Sequence, residues 1–233
     1  MTSENRLSRL AGLLYLIVVA TGIFSLAYVP SQINVANDPA ATANNIVMHE
    51  SLFRFGIASF MIEQVAFLLL PLVLFRLLRS THHTASVLMV ALAVASVPIA
   101  LVSVGYRLDA LALLTDARFG QAFAPDQLQA MAALSLEAYG NGLLVTRLFW
   151  GLWLLPFGYL VLKSGFLPKL LGILLMLGCL GYMLNVFGEL LVPHYSDTLV
   201  SNHAGMPAAV GEIGTCLWLL LVGARRPQSL PRT

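Results

Sequence analysis

The chain has 233 residues, of which 58% are hydrophobic and only 10% are charged, and its mean hydropathy is +0.83. A water-soluble domain carries about a quarter charged residues, because its surface must face water. The composition therefore excludes an ordinary soluble domain and predicts the lipid bilayer as the main partner of this surface. The net charge of +2 is too small to indicate a nucleic-acid partner.

Six apolar stretches follow one another along the chain, and each has about the 20 residues that an α-helix needs to cross the hydrocarbon core. They lie at 10–29, 55–75, 84–105, 142–162, 170–188 and 204–224. We expect an all-α fold, a polytopic membrane bundle of six transmembrane helices that forms one integral membrane domain over residues 1–233. The chain is then a multi-pass membrane protein.

The basic residues predict the orientation of these spans. Segments on the side of the N-terminus hold nine of the 13 lysines and arginines but one acid, Glu4. The nine are Arg6, Arg9, Arg76, Arg79, Lys163, Lys169, Arg225, Arg226 and Arg232. Since cytoplasmic loops are enriched in Lys and Arg, we expect both termini in the cytoplasm and a bacterial inner (plasma) membrane as the location.

The connections on the other side are longer and contain helix signals. Asp38 is a good N-cap and Pro39 suits the first helical position, so a short helix is predicted over 39–48. A second short helix is predicted over 125–136, and both are expected to lie at the outer interface. The third outer connection, 192–205, is polar and shows no helical pattern.

Three spans contain one charged residue each: Glu63, Arg147 and Glu212. They lie at similar distances from the outer ends of their spans. A charge inside the membrane costs about 2.5–3.5 kcal/mol on insertion scales, so such side chains turn to the bundle interior and find partners. We expect Arg147 to bridge the two glutamates, with Gln64 as a further donor. The alternative is a buried ion-pair network that only fixes the register of the helices.

Further polar residues gather near the outer ends of the spans. Arg107, Asn141, Asn185 and Glu189 extend the predicted pocket, and His49, Glu50 and Arg54 are placed at its mouth. The pattern predicts an outward-facing polar pocket for an unknown small molecule, in a protein that serves as a transporter, a sensor or an accessory subunit of a membrane protein partner. No catalytic residue is predicted, and the pattern favours a non-enzymatic role.

An intramembrane metal-dependent hydrolase is the alternative function, with His49, His194 and His203 as outer-side ligands. The sequence has no HExxH spacing, which weakens that interpretation. It also lacks a nucleophile elbow and the glycine-rich nucleotide-binding elements. No histidine lies within a predicted span, which disfavours a bis-histidine haem, and no cofactor is predicted.

Three stretches together resemble a known family. They are Arg9-Leu10-Ala11-Gly12-Leu13-Leu14-Tyr15, His49-Glu50-Ser51-Leu52-Phe53-Arg54, and Lys163-Ser164-Gly165-Phe166-Leu167-Pro168-Lys169-Leu170-Leu171-Gly172 with Gly181-Tyr182 beyond it. This pattern resembles the bacterial membrane family catalogued as domain of unknown function 4386 (DUF4386). The resemblance implies a six-span fold and brings neither an activity nor catalytic residues.

Overall fold

The computed structural model describes residues 3–224, and within that range every regular element is helical. The α-helices are α1 Ser3–Gly22, α2 Val29–Ile33, α3 Pro39–Met48, α4 Glu50–Leu78, α5 His83–Thr115, α6 Ala117–Ala122, α7 Pro125–Leu152, α8 Leu154–Ser164, α9 Lys169–Leu191, α10 Leu199–Ala204 and α11 Met206–Leu221. A π-helical segment, Ile23–Tyr28, joins α1 to α2, and a 3₁₀ turn, Tyr195–Asp197, precedes α10.

All six predicted spans are confirmed as helical segments that are long and apolar enough to cross a membrane. They cover Glu4–Ile33, Glu50–Leu78, His83–Thr115, Pro125–Ser164, Lys169–Leu191 and Leu199–Leu221. Large apolar side chains on these segments are exposed; Val102, Leu170 and Leu221 are each more than 60% accessible. Together with the length of the helices, such a surface indicates contact with lipid. The chain is an all-α, multi-pass membrane protein.

The short helix predicted at Pro39 is confirmed. Asp38 caps it, with its Oδ1 accepting a hydrogen bond from the Ala41 N–H at 2.8 Å. The second predicted short helix is not a separate element, because α7 runs without a break from Pro125 to Leu152. The alanine-rich stretch before Gly140 has high helix propensity, and the helix continues through that glycine at a modest cost.

The third connection differs from its prediction as well. It contains α10, whose N-cap is Thr198, with the threonine hydroxyl accepting from the Ser201 N–H at 3.2 Å. Threonine is a favourable N-cap residue, and sequence reasoning missed this one. The predicted cytoplasmic arginines Arg225, Arg226 and Arg232 lie outside the described residues.

Two prolines explain the interruptions within spans. Pro156 has no N–H to donate to the carbonyl of Leu152, and the fourth span divides there, at Trp153, into α7 and α8. Pro30 likewise leaves the carbonyl of Leu26 without its helical donor. The π-helical segment Ile23–Tyr28 lies just before this proline, and π segments and prolines are both known causes of an interruption in a helix.

The chain divides into two compact units that are both discontinuous in sequence, and the prediction of a single domain stays a prediction. Within the described residues, unit 1 comprises 3–16, 66–96 and 147–224. In it α9 packs closely on α8 and on α11, because small residues face each other: a Cβ added to Gly158 would lie 2.6 Å from the carbonyl oxygen of Gly172. The buried rings of Trp153 and Phe157 are stacked, with centroids 5.0 Å apart.

Unit 2 comprises 17–65 and 97–146. A side-chain hydrogen bond connects α3 to the end of α2: the Asn45 amide donates to the Ile33 carbonyl at 3.0 Å. The ends of α5 and α7 enclose a small apolar cluster of Ala110, Leu113, Leu128 and Ala132.

Candidate functional site

Arg147 on α7 forms an ion pair with Glu189 on α9, with 3.2 Å between Nη1 and Oε1. Nη1 also reaches Oε2 at 3.4 Å. Both residues belong to unit 1 and both side chains are about one-third exposed, at 39% and 32%. The sequence predicted Glu189 as a pocket residue, but it predicted Glu63 and Glu212 as the partners of Arg147. The carboxylate of Glu189 instead neutralises the Arg147 guanidinium.

Glu212 on α11 belongs to unit 1 as well, and its partner is a tyrosine. The hydroxyl of Tyr15 donates to Glu212 Oε1 at 3.0 Å. Among the described residues, none donates to the other carboxylate oxygen, and none of the ion pairs includes Glu212. The expected ion pair between Arg147 and Glu212 is thus replaced by two separate interactions.

Arg147 and Glu212 nevertheless line one cavity of about 270 Å³, together with Asn185. We name it the Arg147 cavity. Its other lining residues are Tyr182, Gly205, Ala208 and Ala209. The glycine and the alanines lie at the start of α11 and leave the space that larger side chains would fill. The side chain of Asn185 is held in place by Tyr195, whose hydroxyl donates to its Oδ1 at 3.0 Å.

Glu63 on α4 belongs to unit 2, where it is buried with 6% exposure. The Ser25 hydroxyl donates to its Oε2 at 3.3 Å. Gly22 allows this approach, since a Cβ there would lie 3.3 Å from Glu63 Oε1. The neighbouring Gln64 is fully buried, and neither polar atom of its side chain has a hydrogen-bond partner among the described residues. That Glu63 shares a site with Arg147 stays a prediction.

Arg107, another predicted pocket residue, is buried on α5 in unit 2, beside the rings of Phe53 and Tyr139. Asn141 is exposed on α7.

The predicted mouth residues also belong to unit 2. His49 is exposed, and Arg54 forms an exposed ion pair with Glu50 at 2.7 Å. This is an ordinary i,i+4 pair within α4, of the kind that contributes little to stability.

The metal hypothesis finds no support within residues 3–224. No group of three or more His, Cys, Asp or Glu side chains in this part of the chain is placed to hold a metal ion. His49 belongs to unit 2, whereas His194 and His203 belong to unit 1. His203 Nδ1 instead lies 2.9 Å from the carbonyl oxygen of Leu199, one turn earlier in α10.

Sequence reasoning missed the polar residues that hold the predicted charges. Tyr15 and Ser25 both lie in the first span, which contains no charged residue. A hydroxyl inside a span needs a hydrogen-bond partner, and a carboxylate at similar depth is an obvious candidate. The sequence signal for Tyr15 and Ser25 is a hydroxyl within an otherwise apolar span.

A comparison with protein families gives one finding about the whole chain. Residues 10–223, nearly its full length, match the model of the family described as domain of unknown function (DUF4386). Comparisons with curated proteins and with solved structures gave no match. The matched range contains all the predicted site residues. The chain therefore belongs to the DUF4386 family.

Proposed function

We propose that this protein binds a small organic cation in the Arg147 cavity and serves in transport, in sensing or as an accessory subunit. The observation that carries the proposal is the presence of Arg147, Asn185 and Glu212 around one cavity. A ligand pocket commonly combines apolar walls with a few placed polar groups, and this cavity has that composition.

The charge balance favours a cation. Glu189 already pairs with Arg147 at 3.2 Å, so the carboxylate of Glu212 is in excess. Only a neutral tyrosine hydroxyl donates to it among the described residues. A carboxylate within a membrane span is costly without a positive partner, and an ammonium group entering the cavity would supply one. The Asn185 amide donates to the Ser201 carbonyl at 3.4 Å, and its second N–H is left for a polar group on the same ligand.

The size of the cavity limits the ligand. A volume of about 270 Å³ holds on the order of nine non-hydrogen atoms, at the roughly 30 Å³ that a water molecule takes in the liquid. A primary amine with a short apolar tail fits this space and this chemistry. Lipids and peptides are too large to enter it entirely.

Isothermal titration of the full-length protein in lipid nanodiscs with n-butylammonium tests the proposal. We expect saturable binding of n-butylammonium and much weaker binding of butyrate and butanol. Glu212→Gln should lower the affinity for n-butylammonium at least tenfold. Asp197→Asn is the matched control, because it also removes one carboxylate in unit 1 but from an exposed side chain. Equal affinity for butyrate, or an unchanged affinity of Glu212→Gln, would contradict the proposal.

We propose further that both termini lie in the cytoplasm of a bacterial cell and that the Arg147 cavity opens outward. The support is the positive charge bias of the sequence, since the cavity is near the connection between α9 and α11, on the side poor in Lys and Arg. Single cysteines at Asn44 and at Ser80 should differ in labelling by an impermeant reagent on whole cells. Labelling at Asn44 but not at Ser80 agrees with the proposed orientation, and the reverse contradicts it.

A further inference from the structure

A buried arginine in unit 2 lacks a hydrogen-bond partner for part of its guanidinium. Arg107 on α5 is 4% exposed. Its Nη1 atom is buried and donates to no partner among the described residues. An arginine carries five N–H donors and no acceptor. A buried cation with an unsatisfied N–H donor is energetically unfavourable, and neighbouring groups or a bound ligand must offset that cost.

Two aromatic rings stabilise the charge of Arg107 without satisfying the donors of Nη1. Its guanidinium carbon lies 4.5 Å from the ring centroid of Phe53 and 5.3 Å from that of Tyr139. Cation–π attraction of this kind is stronger when the pair is removed from water. The two rings lie beside the guanidinium, and its Nη1 group keeps N–H donors for an acceptor.

The acceptor has a place to lie, because Arg107, Phe53 and Tyr139 line a cavity of about 350 Å³. We name it the Arg107 cavity. Its walls are mostly apolar and include Pro30, Val35, Ile46, Ala132, Ala133 and Leu136. It shares no lining residue with the Arg147 cavity.

Two acids also line the Arg107 cavity, and they decide which anion it can take. Asp38 and Glu137 are both less buried than Arg107. Asp38 is engaged as the N-cap of α3, and none of the ion pairs within residues 3–224 includes Glu137. Carboxylates in contact with water are screened by water and salt, and a buried guanidinium is screened much less. Their repulsion still disfavours a multiply charged anion such as a phosphate.

We propose that the Arg107 cavity binds a small monocarboxylate, whose oxygens accept hydrogen bonds from Arg107 while its apolar part lies beside Phe53. A carboxylate is singly charged and matches the planar fork of a guanidinium, from which it can accept two parallel hydrogen bonds. The apolar walls accept a short hydrocarbon tail. At about 350 Å³ the space holds on the order of ten non-hydrogen atoms. A six-carbon acid fits, and it is used as the probe.

The test titrates hexanoate into the full-length protein in nanodiscs, followed by saturation-transfer NMR and calorimetry. Hexanoate should bind saturably, and hexylammonium and hexanol, which have the same chain, should bind at least tenfold more weakly. Arg107→Gln should lower hexanoate affinity at least tenfold. Arg118→Gln is the control with the same charge change, since Arg118 is exposed and paired with Asp116, and its affinity should equal that of the wild type.

A second variant covers the case in which Arg107→Gln fails to fold. Ala133→Phe fills the cavity and leaves Arg107 in place, so it should abolish hexanoate binding without removing the charge. Absence of saturable binding to the wild type, or equal binding to both variants and the wild type, overturns the proposal. So does binding seen only in Glu137→Gln, since Glu137 would then be the internal partner of Arg107.

The same carboxylate chemistry has two sources, a free acid in solution and a fatty acid in the bilayer. Competition with palmitate added to the nanodiscs separates them. If palmitate displaces hexanoate, the carboxylate comes from the bilayer. If palmitate leaves hexanoate bound, the carboxylate comes from solution. Either result supports a monocarboxylate site at Arg107.

Discussion

Two helices of unit 1, α8 and α9, approach each other closely at Gly158 and Gly172. A Cβ added at Gly158 would lie 2.6 Å from the Gly172 carbonyl oxygen and 3.0 Å from the Met176 backbone nitrogen. Both atoms belong to the backbone of α9, so neither can rotate away. An ordinary contact needs 3.4 Å, and Gly158→Ala must therefore push the two helices apart by about 0.8 Å.

Two opposing effects set the magnitude of this change. Overpacking of a well-packed interface costs about 1–3 kcal/mol. Replacing glycine by alanine in a helix contributes about 1 kcal/mol in the other direction. We therefore expect Gly158→Ala to lower the free energy of unfolding by up to about 2 kcal/mol. Gly140→Ala is the control: it lies inside α7 with no atom within 4 Å of an added Cβ, so it should raise the free energy of unfolding by up to about 1 kcal/mol.

Reversible unfolding in mixed micelles with increasing SDS, followed by tryptophan fluorescence, measures both variants. Trp153 is a suitable reporter because it is buried and stacked on Phe157, next to the substituted glycine. The reasoning is refuted if Gly158→Ala is stabilised as much as Gly140→Ala. That result would mean that the backbones of α8 and α9 do not touch at Gly158 and Gly172.

The remaining predictions concern a hydrogen bond, a titration and a turn. A double-mutant cycle with Tyr15→Phe and Glu212→Leu, each of which removes one partner, should give a coupling energy of about 0.6 kcal/mol and at most ~1.7 kcal/mol, the range for hydrogen bonds within membranes. A coupling of zero would show that the 3.0 Å hydrogen bond is not formed. In the connection after α5, the side-chain hydrogen bonds of Arg118 lower the pKa of Asp116 to about 2 from 3.8. Because the pKa of Asp116 is depressed in the folded protein, its pairing with Arg118 stabilises the fold above about pH 4. This stabilisation is lost as the pH falls through about 2. NMR titration of the Asp116 carboxyl carbon measures the pKa, and a midpoint near the ordinary value of 3.8 would contradict the pairing. Gly165→Ala should lower the free energy of unfolding by about 1 kcal/mol in the SDS assay, since Gly165 ends α8 at a φ of +74°, and an unchanged stability would argue against that conformation.

The sequence was sufficient for the elements that depend on local chemistry. Six apolar stretches of the right length predicted the six spans, and Asp38 before a proline predicted the cap of α3. The backbone of a membrane span must satisfy its own hydrogen bonds, and a helix does so within one apolar segment of this length. Element boundaries were less accurate. The helix α7 is continuous because the alanine-rich stretch before Gly140 has a high helix propensity. The prediction instead separated a short outer helix from the fourth span at the expected membrane boundary.

The partners of the charged side chains were decided by the tertiary structure. From the sequence, Glu63, Arg147 and Glu212 lie at comparable depth, and the positive charge of Arg147 predicts that it bridges the two glutamates. Depth along a helix axis does not give the angle around it, and a modest rotation changes which neighbour a side chain meets. The structure pairs Arg147 with Glu189 and gives Glu212 to Tyr15.

The sequence by itself determined that this chain is an all-α membrane protein with charge inside its spans. Hydrophobic length and composition are properties of single segments, and they need no knowledge of neighbours. The tertiary structure decided which of these charges has a partner. It pairs Arg147 with Glu189. It places Arg107 against two aromatic rings and beside a cavity, with its Nη1 atom lacking a hydrogen-bond partner within residues 3–224. Cavities and unpaired donors arise from the packing of several helices at once, and no single segment encodes them.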